Sequence, residues 1–235
     1  MSDNTNMRLP EPKGLYLDRN KIINFNFEGK SYQGFHGDTV ASGLAANNQR
    51  LLSRSFKYHR PRGILTMAGR DSNTLVQIND EPSARADTYP ITEGLNVRAQ
   101  NVFGSLEKDW GSLVESVSRF LPVGFYYKAF YKPKGIWKFW DNVIRNFAGL
   151  GVVDTSTTPY KSDKAYRFCD VAVLGGGPAG LSAAIKAADS GAEVILIDEN
   201  PILGGSLNYA RFNTDINQTI KLRKEKDSSK YVLLT

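Results

Sequence analysis

Val171-Ala-Val-Leu-Gly-Gly-Gly-Pro-Ala-Gly180 is the stretch that decides the fold. Its first four residues form an apolar run suited to a short, buried parallel strand. Gly175, Gly177 and Gly180 then follow in the spacing G-x-G-x-x-G, and an alanine-rich helix is predicted from Leu181 to about Ser190, ended by Gly191. A second apolar run, Val194-Ile-Leu-Ile197, stops at Asp198-Glu199-Asn200. Each glycine has a physical task. Gly175 permits the tight turn out of the strand, Gly177 lets a pyrophosphate approach the backbone, and Gly180 lets the helix pack close to the sheet. Pro178 and Ala179 open the helix, where unpaired N–H groups and the positive dipole end favour phosphate. Asp198 lies eighteen residues beyond Gly180, at a distance suited to a ribose diol. Glu199 shares or replaces that role, and Asn200 stands beside it. An acid there repels a 2′-phosphate, which favours NAD or FAD over NADP. Gly204-Gly205-Ser206 forms either a loop over the pyrophosphate or ribose, or an ordinary surface turn.

The expected class is α/β: a Rossmann-type dinucleotide-binding domain over residues 165–235. Tyr231-Val-Leu-Leu-Thr235 reads as one more strand of that domain, which is therefore incomplete in this sequence. The chain is expected to be a natural fragment or a partial sequence.

Upstream, residues 103–164 form an aromatic-rich helical connector and linker. All three tryptophans, Trp110, Trp137 and Trp140, lie there, among phenylalanines, tyrosines and interleaved lysines. Pro122, Pro133, Gly124 and Gly135 break the stretch into short helices. Such a surface packs against a domain or subunit, lies on a membrane or stacks bases. Packing is the commonest of the three. Residues 151–164 are polar and read as a linker.

Residues 20–102 are expected to form a small α+β domain, with residues 1–19 as an extended arm. Ile23, Phe25 and Phe27 alternate with polar residues, Glu28-Gly29-Lys30 reads as a hairpin turn, and a second strand covers Tyr32 to Phe35. Asp38 or Thr39 caps a helix from Val40 to about Asn47. Arg54 to Gly63 reads as a basic loop, and Leu75 to Ile78 as a strand.

Composition excludes several chemistries. The net charge of +6 over 235 residues is mild and spread along the chain, so no nucleic-acid partner is expected. One cysteine, Cys169, excludes an internal disulfide and a cysteine-ligated iron–sulfur cluster. It is expected to be a buried structural thiol. His36 and His59 with that single cysteine make a poor metal set, so no metal site is expected. No nucleophile–base or acid–base set stands out, so no catalytic residue is assigned. The polar N-terminus and the lack of a long apolar run predict a cytoplasmic chain without a membrane span.

With these residues in place, the chain resembles the N-terminal part of the alpha subunit of heterotetrameric sarcosine oxidase. Three stretches carry the likeness. They are Gly37-Asp-Thr-Val40 with Arg54 to Gly63, then Leu121 to Lys128 with Ala148-Gly-Leu-Gly151, and finally Asp170 to Gly180 with Asp198-Glu-Asn200 and Gly204-Gly-Ser206. The resemblance implies a β-grasp, ferredoxin-like early domain without cluster cysteines, and NAD on this chain with FAD as the alternative. It implies beta, gamma and delta partner subunits, FAD and FMN held through a partner, and tetrahydrofolate bound by a C-terminal part absent here. The implied reaction oxidises sarcosine to glycine, giving hydrogen peroxide and formaldehyde or methylenetetrahydrofolate. Two other readings stand beside it: an FAD-binding subunit of an opine- or proline-type dehydrogenase, and a non-catalytic assembly subunit with a structural dinucleotide. In every case this chain alone is expected to be inactive.

Overall fold

The computed structural model describes residues 7–11, 13–14, 16–120, 124, 130, 132–148, 153, 155–156, 164–200, 202–208 and 232–234. The chain divides into two compact units, Met1–Thr158 and Pro159–Thr235.

The first unit is built on a five-stranded mixed sheet. Strand β1 (Asp18–Phe27) pairs antiparallel with β2 (Lys30–His36). Glu28 and Gly29 both take positive φ at the turn, which matches the twist of the flanking strands. On its other side β1 pairs parallel with β7 (Asn96–Ala99). Strand β7 pairs antiparallel with β5 (Leu75–Ile78), which pairs with β6 (Glu81–Arg85). The order is therefore β2-β1-β7-β5-β6.

Helix α1 (Val40–Ala46) supplies the opposing layer of the core. Thr39 is its N-cap and forms a capping box with Ser42, so of the two predicted caps the threonine holds the position. Asp38 caps nothing. Its buried carboxylate accepts from Arg8, from the Phe35 amide and from Ser42 Oγ. The Arg8 guanidinium meets both carboxylate oxygens, at 2.9 and 2.5 Å, which pins the N-terminal arm to the sheet end. The alternation of Ile23, Phe25 and Phe27 buries one face of β1 against Val40, Ala41 and Leu44. Each fully buried Phe or Leu in that layer contributes about 1.5–3 kcal/mol of transfer free energy.

The basic stretch after α1 is more ordered than a loop. Strand β3 (Leu51–Arg54) and strand β4 (Pro61–Gly63) form an antiparallel hairpin within it. The start of the connector closes over this hairpin. Buried Arg54 donates to the carbonyls of Leu106, His59 and Glu107, so its charge is dispersed over carbonyl dipoles. His59 Nδ1 lies 2.7 Å from Asp109 Oδ2, both side chains fully buried. Asp109 Oδ1 also accepts from the amides of Phe103 and Gly111. Beyond it run a 3₁₀ segment, Trp110–Phe120, and helix α2 (Trp137–Ala148). Trp110, Trp137 and Phe139 of these elements are exposed. The likeness-bearing stretch Leu121–Lys128 and most of the predicted linker lie outside the described residues.

The second unit is a three-stranded parallel sheet in the order β10-β9-β8. Strand β8 (Val171–Leu174), helix α3 (Pro178–Asp189) and strand β9 (Val194–Ile197) form one strand–helix–strand unit, and β10 (Val232–Leu234) adds beside β9. Both strand spans match those read from the sequence. Gly191 follows the helix with φ of 90°, as a helix-ending glycine should. Leu181, Ala184, Ile185, Val194 and Leu196 make the core between helix and sheet. Cys169 departs from expectation: it is half-buried, because Tyr166 to Phe168 before it are exposed and leave it uncovered. No helix among the described residues is long and apolar enough to cross a membrane.

Candidate functional site

The turn from β8 into α3 is held by three separate restraints. Gly175 takes φ of 100° and its amide donates to the carbonyl of Ile197 at 2.7 Å. Gly180 has no room for a side chain, since a Cβ there would fall onto the Gly175 carbonyl. Close helix–turn packing is therefore the reason for this glycine. Gly176 is tied twice: its amide donates to Asp198 Oδ2, and its carbonyl accepts from the Gly204 amide at 2.8 Å.

Gly177 differs from both neighbours. It is the N-cap of α3, with φ of −73°, and makes no side-chain cap bond. A Cβ placed on it would meet nothing within 4 Å. Neither conformation nor internal packing requires glycine here, so the open space in front of its backbone is what the residue preserves. Pro178 occupies the first helical turn, where its missing N–H costs nothing. The amides of Ala179 and Gly180 belong to the first turn, whose N–H groups have no partner within the helix.

The glycine pair downstream returns to this turn. Gly204-Gly205 lead into a 3₁₀ turn, Gly205–Asn208. The backbone of Gly205 comes close enough that a Cβ on it would lie 3.2 Å from Gly177 Cα. Leu203 and Leu207 are buried in the unit's core and hold this loop down, while Ser206 is half-buried between them. The Gly204-Gly205 loop therefore lies against the turn into α3.

Asp198 is placed by the end of β9. Its Oδ1 accepts from the Asn200 amide at 2.7 Å and from Asn200 Nδ2 at 2.9 Å, and its Oδ2 accepts from Gly176. Burial pushes its pKa up, but the Gly176 and Asn200 donors together outweigh that and hold it below the usual carboxylate range. The carboxylate is thus an ionised brace for the glycine turn. A carboxylate offers about four acceptor sites, and these bonds use three of them. Glu199 beside it is exposed. The sequence missed the brace and the Gly176–Gly204 bond. The first was legible as an acid facing a glycine turn across a two-strand sheet; the second, a backbone contact, leaves no side-chain signal.

The remaining predicted candidates sit elsewhere. His59 is part of the buried Asp109 pair in the first unit, and His36 ends β2. Among the described residues no group of three or more metal-ligating side chains comes together.

Comparison with known proteins follows this geometry. A family model described as "FAD dependent oxidoreductase" matches residues 170–230, and one described as "2Fe-2S iron-sulfur cluster binding domain" matches residues 20–102. The first model is of flavin-dependent proteins and does not carry the NAD assignment. The second implies a cluster that this chain does not fit, because its sole cysteine, Cys169, lies outside the matched span. The chain is 47% identical to sarcosine oxidase subunit alpha of Rhizobium meliloti (strain 1021) over 85% of its own length and 21% of that protein's. It is 32% identical to the same subunit of Corynebacterium sp. (strain P-1), over 89% of this chain and 18% of that one. The chain thus spans about a fifth of the length of these relatives. Its fold is similar to that of L-proline dehydrogenase from P. horikoshii, with a TM-score of 0.53 at 19% identity, covering 92% of this chain and 33% of that one. Over most of its length, this chain is a homologue of the N-terminal portion of sarcosine oxidase alpha subunits.

Proposed function

We propose that this chain is the N-terminal part of an alpha subunit of a sarcosine oxidase-type complex, an oxidoreductase acting on CH–NH donors, and that its second unit cradles the ADP moiety of a dinucleotide in a Rossmann-type site. The observation that carries the reading is the open space before Gly177, at the start of α3 and beside the Gly205 loop. In this reading Ala179 and Gly180 offer amides to the pyrophosphate, and Pro178 sets the direction of the first turn. Gly175 and Gly180 hold the cradle's shape. Asp198 braces the turn and accepts from the adenosine ribose, with Glu199 and Asn200 beside it, while Gly205 and Ser206 cover the phosphates. When bound, a dinucleotide supplies hydride-accepting chemistry, and this chain's residues contribute binding and orientation.

The ADP moiety is common to NAD and FAD. The FAD-dependent family match favours FAD; NAD is the dinucleotide that the resemblance read from the sequence implies. Partner beta, gamma and delta subunits, FAD and FMN at the partner, and tetrahydrofolate on a later domain complete the proposal. Nucleotide released by denaturing the purified complex and identified by mass decides between the two dinucleotides. Asp198→Ala should weaken its retention at least tenfold. Undiminished retention would remove Asp198 from the ribose. Peroxide formation from sarcosine by this chain alone, supplied with FAD, FMN and NAD, would remove the division of labour.

A further inference from the structure

The first unit matches a 2Fe-2S family over residues 20–102, yet contains no cysteine there. Plant-type clusters of this class are held by three cysteines separated by four and then two residues, with a fourth later in the chain. Between β4 and β5 the same spacing falls on Thr66, Asp71 and Thr74. These residues are joined in one hydrogen-bond network. Asp71 Oδ2 accepts from the Leu65 amide at 2.7 Å and the Thr66 amide at 3.0 Å, and Oδ1 accepts from the Asn73 amide at 2.8 Å. Thr74 Oγ1 donates to the Asp71 carbonyl at 3.1 Å. The Asp71 amide in turn donates to Asp87 Oδ2 at 3.1 Å, from the segment after β6. Asp71, Thr74 and Asp87 are all buried, and Asp87 Oδ1 is buried with no hydrogen-bond partner. A buried carboxylate oxygen left without a donor is costly. It marks a place where the interior chemistry is not the best available for a purely structural loop.

We propose that Thr66, Asp71, Thr74 and Asp87 stand at the four ligand positions of a lost [2Fe–2S] site, and that the Asp71 carboxylate now does the organising work of the cluster. A cluster gathers its loop by bonding thiolates to iron. Asp71 gathers the same loop by accepting three backbone N–H groups that would otherwise be unsatisfied away from water. The fold has kept the loop because one ionised side chain can replace the inorganic core as a hub.

Two experiments on the full chain test this. Thr66→Cys, Asp71→Cys, Thr74→Cys and Asp87→Cys together, incubated anaerobically with ferric iron and sulfide, should yield about two irons and two sulfides per chain and the visible absorption of a thiolate-bound cluster. A displaced set, with Ser72→Cys in place of Asp71→Cys, should take up none. A folded four-cysteine variant that stays colourless overturns the ligand positions, and so does equal loading of the displaced set. Asp71→Asn tests the hub independently, including where the four-cysteine variant does not fold. The amides of Leu65, Thr66 and Asn73 should exchange with deuterium about tenfold faster, with the β1 amides unchanged, since the carboxamide accepts fewer bonds than the carboxylate. Unchanged exchange at those three amides overturns the hub.

Discussion

The two units of this chain treat polar groups in opposite ways. In the first, the buried polar groups are mostly satisfied by one another: Asp38 by Arg8, Phe35 and Ser42, Asp109 by His59 and two amides, and Arg54 by three carbonyls. In the second, the polar backbone at the head of α3 is left facing open space, and Leu174 of β8 is 79% exposed. The lesson is that an inward-facing polar network makes a scaffold, whereas polar backbone open to solvent on a rigid turn is what the proposed dinucleotide site needs.

Four measurements can break or sharpen that contrast. The largest effect should come from Phe25→Ala, which removes a fully buried ring from the layer under α1. A loss of about 3–5 kcal/mol from the first unit is expected in denaturant titration. Protected amides in β8 and β9 should persist, and their loss would mean that the second unit depends on the first.

Next, Asp109→Ala strips His59 and two amides of their shared acceptor. It should cost about 3 kcal/mol, because the stranded donors stay buried. A change under about 1 kcal/mol would show the network to be slack.

The glycines of the cradle give the third test. Gly180→Ala should cost about 1–3 kcal/mol of second-unit stability, as the new methyl must displace the Gly175 carbonyl. Gly177→Ala should cost less than about 1 kcal/mol while weakening dinucleotide retention more than stability. Equal behaviour of the two would erase the distinction between packing and receiving glycines.

The smallest effect is the dependence on pH. Asp71 resembles Asp198 in this respect: burial pushes its pKa up, but the amides of Thr66, Asn73 and Leu65 together hold it below the usual carboxylate range. A folded value below the unfolded one stabilises the native state above the unfolded value, about 3.9 for an aspartate. That contribution is lost as pH falls through the lower, folded value. Urea midpoints should therefore hold steady down to about pH 5 and decline below it. Asp71→Asn and Asp198→Asn should each flatten the acid limb of their own unit.

The second unit was nearly all legible in advance. Residues Val171–Leu174 and Val194–Ile197 are uninterrupted apolar runs bounded by glycines and acids, and such runs define strands without help from the rest of the chain. In the first unit, β1, β2, α1 and β5 announced themselves by alternation, turn or cap. Strand β7, Asn-Val-Arg-Ala, has no periodic signal, and its place is set by pairing with β1, some seventy residues away in sequence. The β3–β4 hairpin was hidden by charge and by Pro61. The His59–Asp109 and Asp71–Asp87 links join residues that only the folded topology brings together, so no local pattern encodes them.

The Arg8–Asp38 ion pair bears on how the protein survives handling. Arg8 reaches in from a short arm that is also tied by a hydrogen bond from the Met7 amide to the Ala46 carbonyl and by bonds from Arg19 to the carbonyls of Leu9 and Lys13. A protease that clipped the arm just after Arg8 would leave every strand and helix in place, yet would free the cation that neutralises a fully enclosed acid. Such a nicked chain would look intact on a gel of the remaining body and would still melt early. An amino-terminal tag followed by aggressive cleavage is therefore the preparation step most apt to turn a sound sample into a fragile one.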